Sequence, residues 1–393
     1  MIGVDIVKIE RIEKAIKNER FLNRVFTVAE REYAFSKNNP HQTLAGIYAA
    51  KEAVAKCVRT GLNFSLLCMQ VEHLDGAPIM NYNGQKIYIS ISHDGEYAVA
   101  TASFSPLKKS IDFCGERITE DMVALPKRNA DTHKGSYGKI KIIGGSKFMV
   151  GAPYLAALAA SKSGAGLTTL CVPEFLLPDY RQRVVEQTLF AISSQNEQII
   201  FNEKNVLDAI NGADCVAIGM GMGREDVQTL QNIIDCILFN FSGAVIIDGD
   251  CLFALNKQSL LNTKAKVLLT PHRVEFERLI GRKTNDAVQD TLDFASQYNC
   301  VVAHKSHFTV ISDGVNVKIN TTGSPALAKG GSGDVLAGMA AAFSVSFGMF
   351  DGAIKACYYL GKAGELLDKE MGDNSVLASD IINNLHRVFV YGE

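Results

Sequence analysis

Glycines at positions 330, 331 and 333 and the acid that follows them, Asp334, carry the strongest chemical signal in this chain. They close the stretch Asn320-Thr321-Thr322-Gly323-Ser324-Pro325-Ala326-Leu327-Ala328-Lys329-Gly330-Gly331-Ser332-Gly333-Asp334, which leads into an apolar run from Val335 to Phe350. Residues without a Cβ turn tightly and leave their backbone N–H groups bare. The apolar run predicts a buried helix, and its N-terminus adds the positive end of a dipole to those unpaired donors. That combination attracts an anion such as phosphate. A carboxylate inside such a turn is repelled by the ligand it adjoins, so Asp334 reads as a base rather than as a phosphate ligand.

A second set lies near the other end. Asp5 interrupts the strand-like Ile2-Gly3-Val4-Asp5-Ile6-Val7, and an acid there costs stability unless it is paired or holds a metal. Lys51, Glu52 and Lys56 cluster on a helix predicted from Thr43 to Val58. Taken alone, Glu52 and Lys56 are four apart and read as a surface ion pair worth ~0.2–0.5 kcal/mol.

The elements that must hold these residues follow from periodicity. Ile9, Ile12, Ala15 and Ile16 recur at helical spacing after the first strand. Periodicity is lost around Ser105-Pro106-Leu107-Lys108-Lys109-Ser110, which sets residues 105–116 as a linker between domains 1–104 and 117–393. Beyond it, strand-like runs near 139–143, 168–172, 215–219, 244–248, 266–269, 300–303, 308–312 and 316–319 alternate with helical ones, notably Ala152 to Ser163. Alternation of this kind predicts an α/β, largely parallel sheet with helices on both faces, whose ligands sit beyond the carboxyl ends of the strands. Gly219-Met220-Gly221-Met222-Gly223, Asp248-Gly249-Asp250, Thr270-Pro271-His272 and Lys305 all fall at such ends.

Composition narrows the class of protein. A length of 393 residues suits two domains. The formal net charge of −2, with no basic run longer than a pair such as Lys108-Lys109, speaks against a nucleic-acid partner. Nine cysteines without a Cys-x-x-Cys pair indicate neither a zinc site nor a disulfide framework. Cys57, Cys171 and Cys251 read as core fillers in a reducing cytoplasm. The opening Met1-Ile2-Gly3-Val4-Asp5 lacks the pattern of a signal peptide, and the longest apolar run is shorter than the ~20 residues needed to span a bilayer. A cytoplasmic protein without membrane association is expected.

Asp5-Ile6-Val7-x-Ile9-x-Arg11, Arg24-Val25-Phe26-Thr27, Ala49-Ala50-Lys51-Glu52-Ala53-Val54-Ala55-Lys56 and Ser90-Ile91-Ser92-His93-Asp94 occur in this order. Together they resemble holo-acyl-carrier-protein synthase, a small α+β phosphopantetheinyl transferase. The resemblance implies coenzyme A and acyl carrier protein as partners and Mg²⁺ held by Asp5 and Glu52. Glu52, or a metal-bound water, would assist the attack of a carrier serine. Lys51 and Lys56 would offset phosphate charge, and His93 would reach the adenosine 3′-phosphate. The family usually places a short helix between the Gly76-Ala77-Pro78 hairpin and the Ser-Ile-Ser-His strand; here Asn83-Gly84-Gln85-Lys86 joins them almost directly.

The 330–334 turn resembles the anion hole of the ribokinase-like superfamily. Asn320 to Pro325, with His133-Lys134-Gly135, Gly151-Ala152, the glycine turn at 219–223, Thr270-Pro271-His272 and Lys305, narrows the likeness to the NAD(P)H-hydrate dehydratases. That resemblance implies a doubly wound ribokinase-like fold and dehydration of the S epimer of hydrated NADH or NADPH, with ADP or ATP as phosphoryl donor. Ala152, Gly223 and His272 would line the hydrated nucleotide together with the catalytic base Asp334. Lys305, Ser306, His307, Phe308, Thr309, Gly330, Gly331 and Gly333 would hold the adenine nucleotide. Arg273-Val274 stand where Pro-Gly is usual, and Lys305-Ser306-His307 replaces Lys-Gly. Both families imply a homo-oligomer, and epimerisation would need a separate protein, because no epimerase sequence is present. The competing reading is a ribokinase-like small-molecule kinase that stops after phosphoryl transfer, joined to a non-catalytic assembly module.

Overall fold

The computed structural model describes residues 2–58, 66–74, 77–82, 85–104 and 115–392. The chain divides into two compact units, Met1–Asp112 and Phe113–Glu393. In the first, the strands run in the order Ile2–Lys8, Tyr97–Ser103, Gln85–Asp94, Ala77–Tyr82 and Val71–Leu74, every pair antiparallel. The helix Pro40–Cys57 covers one face, with Leu44, Ile47, Ala50, Val54 and Cys57 buried. It starts three residues earlier than its apolar pattern predicts, because Asn39 caps it and Pro40 fits the first turn. Tyr82 pairs with Gln85, so the strands join directly as the sequence suggests; the joining Asn83-Gly84, like Gly76, lies outside the described residues.

The second unit is built on a ten-stranded sheet. Its central strands Leu167–Pro173, Lys139–Gly144, Cys215–Met220, Ala244–Ile247, Lys266–Leu269 and Val301–His304 are consecutive neighbours and all parallel. Alternate side chains point to opposite faces. Ile140, Ile142, Leu170, Ala217, Ile246 and Leu268 join one core, under the helices Gly151–Lys162, Ser332–Phe347 and Met349–Met371. Ile143, Cys171, Val216, Ile218, Val245 and Val267 join the other. Two cores on one sheet are the doubly wound arrangement expected. No helix among the described residues is long and apolar enough to cross a membrane.

Two expectations need correction. Val335 to Phe350 is not one helix: Gly348, at φ +84°, ends Ser332–Phe347 and starts Met349–Met371. Glu116, assigned to the linker, begins a short strand, Glu116–Arg117, paired with Lys318–Ile319; residues 105–114 lie outside the described residues. At the other sheet edge lies a further strand, Thr188–Ile192.

The helix behind the glycine turn is held unusually close to its neighbour. A Cβ on Gly338 would lie 2.0 Å from the Ala156 carbonyl oxygen. Gly338→Ala should therefore push the two helices apart and destabilise the unit by ~1–3 kcal/mol, read as a lower Tm.

Candidate active sites

Gly331 adopts φ +98° as the N-cap of Ser332–Phe347, and no side chain caps that end. Ser332 N–H reaches back to the Lys329 carbonyl at 3.4 Å, while those of Gly333 and Asp334 have no partner among the described residues and are open to a ligand. The turn is seated firmly: a Cβ on Gly331 would meet Ala378 and Leu155 at under 3 Å, and the Lys329 ammonium, just before it, donates to the carbonyls of Asn374 and Val376 at 2.5 and 2.9 Å. Asn320 and Thr322 bond carbonyls of Cys357 and Tyr358, fixing the approach to the turn.

A cleft of about 830 Å³ opens over this turn, and Asp248, His272, Lys305 and Asp334 reach it from three strand ends and the helix start. Lys305 donates to Asp248 Oδ1 at 2.9 Å, and Thr270 Oγ1 donates to the same oxygen at 2.6 Å. Burial works against the Lys305 charge, but the Asp248 carboxylate outweighs it and raises the pKa. Asp334 differs. Burial first, then the charges of Asp248 and Asp250, push its carboxyl up from 3.8 to about 7, with Lys305 pulling the other way. A carboxyl poised near neutrality, beside free backbone donors and an ammonium, is equipped to take a proton from a hydroxyl next to a phosphate.

Of the residues assigned to the nucleotide, Lys305, Ser306, His307, Thr309, Gly330, Gly331 and Gly333 line this cleft. Phe308 does not: it is 42% exposed and packs its ring on His307. His272 lines the cleft while its Nδ1 accepts from the N–H groups of Val274 and Glu275, so it also caps the helix Arg273–Ile280. Ala152 and Gly223 sit apart. Gly223 borders a small recess with Ser146, Lys147, Met222 and Glu225, and Ala152 packs where Gly221 leaves room. The link to Asp334 is Asp250, whose carboxylate accepts from Gly223 N at 2.9 Å and adds to the charge around Asp334.

In the first unit, Gly3 lets the strand Ile2–Lys8 lie on the long helix, since a Cβ there would be 1.9 Å from Ala53 O. That contact brings Asp5 to Lys56, which donates to it at 2.8 Å; burial and then the nearby Glu52 carboxylate raise the pKa of the Tyr48 hydroxyl, with Asp5 adding to the shift and Arg11 opposing it. Lys56 thus pairs with Asp5, not with Glu52 as the bare spacing suggested. Among the described residues no group of three or more His, Cys, Asp or Glu forms a metal cage. Two carboxylates at a surface do fit Mg²⁺, which takes its other ligands from water and substrate phosphate. His93 borders a cleft of about 430 Å³ with Lys37, Asn39 and Thr43, fitted into the space that Gly46 leaves.

Lys51 is a correction. It is fully buried and donates to Glu30 Oε2 at 2.7 Å and to the carbonyls of Val25 and Leu66 at 2.7 and 3.0 Å. It ties three segments together and faces no phosphate. Burial lowers its pKa while Glu30 opposes the shift. Lys51→Met should leave Glu30 buried without its counter-charge and cost ~3–5 kcal/mol, seen as a loss of thermal stability.

The NAD(P)H-hydrate dehydratase family model matches residues 140–387, more than half of the chain. The chain belongs to that family. Its first 102 residues match the 4'-phosphopantetheinyl transferase superfamily, so a domain of each kind is joined here. An ADP-dependent (S)-NAD(P)H-hydrate dehydratase of Lactiplantibacillus plantarum is 33% identical over 251 residues, 63% of this chain and 87% of that protein. The bifunctional NAD(P)H-hydrate repair enzyme of Thermofilum pendens is 31% identical over 278 residues, 68% of this chain but 52% of its own length. The chain thus spans about half the length of the bifunctional relatives it matches. Among solved structures, an ADP/ATP-dependent NAD(P)H-hydrate dehydratase from Bacillus subtilis co-crystallized with ATP/Mg²⁺ is 30% identical, with a TM-score of 0.61, covering 70% of this chain and 97% of that one.

Within the dehydratase unit, sequence reading gave Asp248 and Asp250 no firm role. Both are buried, and each organises a neighbour: Asp248 holds Lys305 and Thr270, and Asp250 holds Gly223 and Arg224. Their position after a strand was visible, but their partners are 22 to 57 residues distant in sequence. Glu30, the buried partner of Lys51, gave only the signal of a capping box with Thr27.

Proposed function

We propose that this chain is a bifunctional enzyme. Its second unit dehydrates the S epimer of hydrated NADH or NADPH with ADP as donor, and its first transfers 4′-phosphopantetheine from coenzyme A to a serine of acyl carrier protein. The observation that carries the first assignment is Asp334, poised near neutral pH at an uncapped helix N-terminus inside the nucleotide cleft.

Hydroxyl on a reduced nicotinamide ring is a poor leaving group. Asp334 removes its proton, and the oxygen attacks the terminal phosphorus of ADP, forming an O–P bond as the bond to AMP breaks. The 330–333 N–H groups and Lys305 bear the charge that develops on the transferring phosphoryl group. The ring nitrogen then pushes out phosphate, the C–O bond breaks, and a ring proton is lost, leaving NADH or NADPH. Support for ADP, or ATP, as donor comes from the relatives in Lactiplantibacillus plantarum and Bacillus subtilis.

In the first unit, Asp5 and Glu52 would hold Mg²⁺, which supplies charge neutralisation at the diphosphate of coenzyme A. Glu52 accepts the proton of the carrier serine as its oxygen bonds the phosphorus next to pantetheine; the diphosphate bond breaks and adenosine 3′,5′-bisphosphate leaves, while Lys56, already beside Asp5, adds positive charge at the same place.

Oxygen tracing tests the dehydratase chemistry. With ¹⁸O in the hydroxyl of the hydrate, the label should appear in orthophosphate. Orthophosphate carrying solvent oxygen instead would mean that ADP is merely hydrolysed, and the mechanism would fall.

A further inference from the structure

Beside the turn that ends in Gly223, two arginines share one aromatic ring. Arg224 and Arg278 place their guanidinium carbons 4.8 and 3.4 Å from the centroid of Phe253. Phe253 lies in the helix Gly249–Ala254, which starts directly after Asp248. Planar guanidinium groups stack on such a ring and keep their edges free for oxygen ligands. Among the described residues Arg224 spends only its Nε, 2.7 Å from Asp250 Oδ1, and so keeps both terminal nitrogens. Arg278 donates one terminal nitrogen to the Phe253 carbonyl. Burial and then the charge of Arg224 lower the pKa of Arg278, and no carboxylate among the described residues offsets this.

Two like charges held at one ring, one of them without a counter-ion, are a costly arrangement for a protein surface. A bound anion removes the cost, and bidentate recognition of phosphate is what the guanidinium fork does best. Asp250 couples this pair to the substrate turn, because the carboxylate that orients Arg224 also holds Gly223 N. We propose that Arg224 and Arg278 form a phosphate subsite for the hydrated dinucleotide, an inference that rests on the dehydratase reading above. The phosphate belongs either to the diphosphate common to both coenzymes or to the 2′-phosphate of the NADPH form.

Kinetics of Arg278→Gln with both hydrates test this, since Arg278 makes no hydrogen bond to the 219–223 turn. The KM should rise about tenfold or more, as loss of a charge-assisted contact implies, with kcat little changed and with Arg278→Lys retaining part of the affinity. A rise with hydrated NADPH alone identifies the 2′-phosphate; an equal rise with both identifies the diphosphate. Arg224→Gln should show the same pattern. Calorimetric titration of NADPH and NADH into each variant gives a readout independent of turnover, and an unchanged melting temperature shows that the variants are folded. If both variants bind and turn over both substrates like wild type, the subsite is refuted while the dehydratase reading stands. If wild type itself converts neither hydrate, the dehydratase reading fails and the subsite with it.

Discussion

Replacing Asp334 by Asn should lower ADP-dependent turnover of hydrated NADH by at least ~10²–10⁴-fold, the usual worth of a general base. Asn keeps the shape and hydrogen bonding but accepts no proton. ADP should still bind, and bind more tightly, because a negative charge beside its phosphates is gone. The wild-type pH profile carries the same signature. Asp334 acts as a base only when ionised, and its carboxyl sits at about 7. The rate should climb as pH rises through 7 and fall about tenfold per unit below it, and in Asp334→Asn that limb should vanish. Stability moves the other way. The folded state holds the Asp334 proton up to about 7, whereas the unfolded chain releases it near 3.8, so stability conferred at low pH is lost as pH rises across that window. Asp334→Asn should accordingly melt higher than wild type at pH 8 and no higher at pH 4. Near-normal turnover by Asp334→Asn would remove Asp334 from the mechanism.

Asp5→Ala should abolish Mg²⁺-dependent modification of apo acyl carrier protein and leave hydrate repair untouched. Magnesium is held by one or two carboxylates plus phosphate oxygens, so the loss of one of two protein ligands is severe. The substitution also frees Lys56, whose ammonium bonds Asp5 Oδ1 at 2.8 Å and Val4 O at 2.9 Å. Mass spectrometry of the carrier protein reads the added phosphopantetheine directly. Wild-type protein that modifies no carrier protein, and binds no coenzyme A in a titration, would make the first unit an assembly module.

The sheet of the second unit was legible because its central strands are short apolar runs separated by helical ones, and parallel strands buried on both faces read as continuous apolar stretches. The glycine turn was legible because only glycine fits where φ is +98° and a Cβ would strike Leu155 and Ala378. Other features were hidden by the nature of a sequence. Lys51 sits among alanines beside Glu52, and nothing local says that it points inward to Glu30, 21 residues earlier. Phe308 follows Lys305 closely, yet it packs its ring on His307 and is not among the residues that line the cleft. The break at Gly348 falls inside an apolar run, with Val345 and Phe347 before it and Met349 and Phe350 after it, so polarity does not mark the joint.

The most direct measurement incubates the intact chain with purified S-hydrated NADH and follows the return of the reduced nicotinamide absorbance, with and without ADP. The dehydratase assignment predicts recovery of NADH only when ADP is present, with one AMP and one orthophosphate formed per NADH and no stable phosphorylated product. Accumulation of a phosphorylated sugar or vitamin from an added acceptor, with the hydrate left unused, would contradict it.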